Sequence, residues 1–69
     1  MKLKEIEAVV EALLFISGEA LPISVIAQTI ELDKATTKAI IMTLAEKYES
    51  DKRGIRIIEI DDGYQMCTA

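Results

Sequence analysis

Three segments with helical apolar spacing precede two β-type runs, Ile55 to Ile60 and Tyr64 to Thr68, joined by Asp61-Asp62-Gly63. Helix, helix, helix, hairpin is the order of a winged helix-turn-helix, an α+β architecture with a three-helix core and a C-terminal β-hairpin wing. Domains of this kind bind DNA or another protein and do not normally catalyse a reaction. The functional chemistry is therefore expected on exposed faces.

The first helix is expected from about Leu3 to Ser17, where Ile6, Val9, Val10, Leu13 and Ile16 recur at three-and-four spacing. Its C-terminal half is apolar nearly all round, because Ala12, Leu14 and Phe15 occupy the remaining arc. Leu13 and Ile16 are assigned to the core. Leu14 and Phe15 fit either the core or a contact with a second chain. Gly18 suits a left-handed helix end, and Pro22 suits the first position of a short second helix running to Ile30. That helix turns Ile23, Ile26, Ala27 and Ile30 inward. Asp33 is a good N-cap for a third helix reaching Tyr48 or Ser50, with Thr37, Ile40, Ile41, Leu44 and Tyr48 on its inner side.

The run Ile55-Arg56-Ile57-Ile58-Glu59-Ile60 is rich in stiff β-branched residues and predicts a strand. A two-residue turn at Asp62-Gly63 places Ile55, Ile57, Tyr64 and Met66 on one face. A three-residue turn at Asp61-Asp62-Gly63, with Gly63 left-handed, instead groups Ile58, Ile60, Tyr64 and Met66. Either register leaves two isoleucines on the opposite face, more apolar surface than one small core uses.

Sixty-nine residues make a single domain, and a chain this size hides only about 60 % of its unfolded surface. No staple offsets that. There is no histidine, the single Cys67 has no disulfide partner in the chain, and no ligand set for a metal or cofactor can be assembled. With 51% hydrophobic residues but only 4% aromatic, the core is aliphatic, and the surplus points to an interface. Acids at Glu5, Glu7 and Glu11 exclude a signal peptide or membrane span at the N-terminus, and the lone cysteine fits a cytoplasmic chain. Catalysis lacks its usual parts, since there is no nucleophile–base pair and no phosphate-binding glycine loop. Asp61 and Asp62 are explained by turn geometry, and Cys67 as a packed thiol.

A DNA-binding winged helix presents its third helix to base edges. The outward set here is Ala35, Lys38, Ala39, Met42, Thr43 and Glu46, which reads bases poorly. Ala35, Ala39 and Met42, at i, i+4 and i+7, form an apolar strip better suited to a protein groove, although a plain solvated face explains them equally well. Lys38 and Thr43, together with Lys52, Arg53 and Arg56 around the wing, are the residues of an alternative reading as a DNA-binding regulator. Glu49, Asp51 and Glu59 interrupt that basic group, and the net charge of −4 disfavours direct DNA binding.

The stretch Glu11-Ala12-Leu13-Leu14-Phe15-Ile16-Ser17-Gly18-Glu19-Ala20-Leu21 resembles the first-helix signature of the segregation and condensation protein B (ScpB) family. Arg53-Gly54-Ile55 and Gly63-Tyr64-Gln65-Met66 resemble the wing of that family's N-terminal domain, and the likeness spans essentially the whole chain. It implies a bacterial, non-enzymatic subunit of the SMC–kleisin condensin complex, cytoplasmic and nucleoid-associated, acting in chromosome condensation and segregation. Family members carry two winged-helix domains, the first pairing into a homodimer and the second chiefly binding the kleisin ScpA. Residues 1–69 are thus expected to be the N-terminal domain, with the second domain absent and with ScpA and SMC engaged through the full-length protein. On this reading, Leu14, Phe15, Ile58 and Met66 are the expected self-association contacts.

Overall fold

The computed structural model describes residues 1–69. Its elements are α1 (Leu3–Ser17), β1 (Leu21–Pro22), α2 (Ile23–Ile30), α3 (Lys34–Ser50), β2 (Ile55–Ile60) and β3 (Gly63–Thr68), the winged-helix order expected from the residue pattern. Gly18 ends α1 at φ 67°, a left-handed conformation that glycine adopts without a Cβ clash. Asp33 caps α3 by accepting from the Thr36 backbone N–H at 2.9 Å and the Thr36 hydroxyl at 2.6 Å. The Thr36 side chain first, and then its N–H, holds the Asp33 carboxyl below its ordinary range.

The core gathers Val10 and Leu14 from α1, Ile26 and Ile30 from α2, Ile41, Leu44 and Tyr48 from α3, and Tyr64 from β3. In α1 the buried line is Glu7, Val10 and Leu14, rotated from the stripe drawn through Leu13 and Ile16. Ile16 is 80% exposed, Leu13 is half-buried and Leu14 is 1% exposed. Glu7 shares that inward face, where Lys47 of α3 neutralises it with Nζ contacts of 3.0 and 2.9 Å. An apolar count passes over such a position, because a carboxylate enters a helix–helix seam only with a paired cation.

The sheet has the order β1-β3-β2, and β1 is an element absent from the sequence expectation. Pro22, expected as the first residue of the second helix, lies in β1 and serves as the N-cap of α2. The hairpin pairs Ile60 with Gly63 and Ile57 with Met66, so the loop is Asp61-Asp62. Ile55, Ile57, Tyr64 and Met66 share a face, as in the two-residue alternative, while the turn falls one residue earlier than expected. Asp61 takes the left-handed conformation at φ 52°, and Gly63 does not. Gly63 instead sits where a Cβ would meet the Leu21 carbonyl oxygen at 2.5 Å. Its role is to let β1 approach β3. The turn also reaches α2, since the Ile23 N–H donates to the Asp62 carbonyl at 2.8 Å and thereby satisfies a free helix N-terminus donor.

Glu31 closes α2 at φ 58°, a conformation that strains any residue with a Cβ. Glu31→Gly is expected to raise stability by about 0.5–1 kcal/mol, a gain reduced from the full strain by the greater freedom of glycine in the unfolded chain. A chemical denaturation midpoint that rises at constant slope would show it.

Candidate protein interface

The most exposed apolar surface lies on the outer arc of α1. Phe15 is 75% exposed beside Ile16, and Ala8 and Ala12 continue the same arc. Phe15 and Ala12, with Ile55 of β2 and Met66 of β3, line a hollow of about 350 Å³ rimmed by Glu11 and Arg53. The arrangement puts a projecting aromatic ring next to an apolar depression on one surface, the geometry that two copies related by a two-fold axis require of a shared contact. Both rim residues are positioned by Tyr48, whose hydroxyl donates to the Glu11 carboxylate and whose ring carries the Arg53 guanidinium 5.9 Å above its centroid. Burial, reinforced by the bond to Glu11, pushes the Tyr48 hydroxyl well above its ordinary pKa, so it stays protonated as a donor.

The residues expected as self-association contacts separate in space. Leu14 is a correction, because it lies inside the domain core and offers nothing to a partner. Phe15 and Met66 come together at the hollow, with Met66 half-buried against the core. Ile58 lies on the opposite face of the hairpin, where it and Ile60 are 36% and 37% exposed. Ala35, Ala39 and Met42 are exposed along α3, away from Phe15 in the chain and lining none of its hollow. Ile16 and Ala12 were absent from the expected set. The signal for them was the all-round apolar character of the helix end, resolvable only once the inward face is known.

Two residues of the DNA-binding alternative make contacts within the domain. Lys38 Nζ stands 3.9 Å from Glu59 of the wing, and the Thr43 hydroxyl donates to the Ala39 carbonyl at 3.0 Å. Lys52, Arg53 and Arg56 do share one hollow near the wing, together with Glu49. Between α3 and the wing the lining includes Glu46, Glu49 and Glu59. Three carboxylates there repel a phosphate backbone, and this arrangement disfavours DNA recognition.

A sequence model of segregation and condensation complex subunit ScpB matches residues 8–69. The chain belongs to the ScpB family. Segregation and condensation protein B of Lachnoclostridium phytofermentans is 46% identical over 68 residues, which make up 99% of this chain and 36% of that protein. The same protein of Ruminiclostridium cellulolyticum is 41% identical, again over 99% of this chain and 36% of its own length. The chain thus spans only part of these ScpB relatives. Its fold matches a crystal structure of a dimer of the ScpB N-terminal domain complexed with a ScpA peptide, at TM-score 0.90 and 35% identity, covering 97% of this chain and 84% of that one. ScpB from Mycobacterium tuberculosis shares the fold at TM-score 0.92 and 22% identity, covering 100% of this chain and 43% of that one. No helix is long and apolar enough to cross a membrane.

Proposed function

We propose that residues 1–69 form the N-terminal, homodimerising winged-helix domain of a non-enzymatic condensin subunit, acting in chromosome condensation and segregation in the cytoplasm at the nucleoid. The observation that carries this reading is Phe15, an aromatic side chain left 75% exposed beside an apolar hollow in a family member. Leaving a phenyl ring in water forgoes about 1.5–3 kcal/mol of burial, and a second copy is the partner that recovers it twice. The similarity to a dimeric ScpB N-terminal domain holding a ScpA peptide supports both self-association and ScpA as a partner. SMC is engaged through the assembled full-length complex.

Phe15, Ile16 and Met66 are assigned to the dimer contact on the hollow side, and Ile58 to its extension over the wing. The strip Ala35, Ala39 and Met42 is a second protein-facing surface. Light scattering over a concentration series should give twice the chain mass. Phe15→Asp should return the mass to that of one chain with circular dichroism unchanged, because it places a charge in an apolar contact. Ile58→Glu should weaken association by about tenfold if the wing extends the contact; unchanged association in a folded Ile58→Glu variant would confine the interface to α1 and the hollow. A single-chain mass for the unaltered protein at all concentrations would refute the dimerisation reading.

A further inference from the structure

Glu11 and Arg53 are the charged residues that line the Phe15 hollow, one of each sign. Glu11 lies one helical turn before Phe15, at i and i+4, so the two side chains are neighbours on one face of α1. A second copy that brings its Phe15 ring to this hollow therefore brings its own Glu11 to the rim.

The two rim groups are held in place without being paired to each other. No carboxylate of the domain lies within 4.0 Å of the Arg53 guanidinium, which rests over the Tyr48 ring at 5.9 Å from its centroid. The Glu11 carboxylate accepts from the Tyr48 hydroxyl and keeps further lone pairs for another donor. Tyr48 is buried in the core cluster, so one fixed side chain positions both charges. Flanking charges preserve the polarity. Toward the wing, Arg53 shares a hollow with Lys52 and Arg56 against Glu49. Toward α3, Glu11 and Arg53 adjoin Lys4, Asp51 and the Glu7–Lys47 pair, in which each cation is matched by an acid.

Two-fold symmetry leaves two ways to bring such charges together. Glu11 can meet Glu11 and Arg53 meet Arg53, which is repulsive, or each can meet the other, which is attractive and occurs twice. We propose that Glu11 of each copy pairs with Arg53 of the other, and that this crossed pair fixes the register of self-association. The pairing rests on the self-association proposed for this hollow and adds its specificity determinant. Exposed ion pairs contribute little affinity singly, whereas like charges forced together cost more, so the pair acts chiefly by rejecting other registers.

Glu11→Lys and Arg53→Glu are made in separate full chains, one of them labelled with ¹⁵N, and dimers are counted by native mass spectrometry alone and after mixing. Circular dichroism checks each fold. Each variant alone places like charges together twice and should dimerise about tenfold or more weaker than the unaltered protein. In the mixture both contacts are again between opposite charges, so the mixed dimer should exceed either like dimer by about tenfold. Should charge reversal disturb the fold, Glu11→Gln, which keeps an acceptor for the Tyr48 hydroxyl, and Arg53→Gln test the same pair. Each should reduce the salt dependence of dimer affinity, and the double variant should reduce it no further. Unaltered protein that dimerises while the mixture shows no preference for the mixed dimer, or additive effects of the two Gln variants, would overturn the crossed pairing alone. Unaltered protein that stays a single chain would refute self-association and the pairing with it.

Discussion

Leu14→Ala is expected to cost about 3 kcal/mol of stability and to unfold a substantial fraction of the molecules at room temperature. Leu14 is 1% exposed and packs in the cluster that joins all three helices. Truncation removes the transfer free energy of its isobutyl group and leaves a cavity, together costing about 2–5 kcal/mol in tightly packed cores. A domain of 69 residues has only about 3–10 kcal/mol in total. Its neighbour provides the contrast. Phe15→Ala should change the stability of the single chain by less than about 0.5 kcal/mol, since the ring is mostly in water. Urea denaturation of the two variants, at concentrations too low for association, separates a core residue from a contact residue one position away. Similar midpoints for both would mean that α1 is rotated from the position described.

Gly63→Ala is expected to be nearly as damaging, at about 3 kcal/mol, although it adds a single methyl group. Its Cβ would meet the Leu21 carbonyl oxygen at 2.5 Å, the Leu21 carbonyl carbon at 2.9 Å and the Pro22 Cα at 3.3 Å. These are backbone atoms, and no side-chain rotation relieves them. The strands β1 and β3 must separate, which breaks their short ladder and draws the Asp62 carbonyl away from the Ile23 N–H. Proton exchange at Ile23 should therefore accelerate in a Gly63→Ala variant that still folds. Unchanged exchange and stability would show that β1 is not coupled to the wing.

The helical part of the fold was largely legible. The bounds of α1 follow from apolar spacing closed by Gly18, and the start of α3 from Asp33, because caps and periodicity are local properties of the chain. The face split of the hairpin was legible as one of two alternatives, and strand pairing selected it. The two-residue strand β1 was not legible, because Leu21-Pro22 forms a strand only where β3 supplies a partner. For the interface, the surplus of apolar residues around one helix was legible, while which of Leu14 and Phe15 is exposed was not, and only the packing of α1 decided it.

Local chemistry thus determined where helices start and stop, that the wing is a hairpin, and that this acidic chain carries more apolar surface than its core can hold. Tertiary contacts settled which side of α1 faces inward, which glycine has to be glycine, and which basic residues are free. Each of these turns on a partner distant in the chain. Lys47 lets Glu7 enter the helix seam, Leu21 excludes a side chain at position 63, and Glu59 stands beside Lys38. A residue's own type carries no record of such partners, because the free energy of a buried charge or a close backbone approach belongs to the pair.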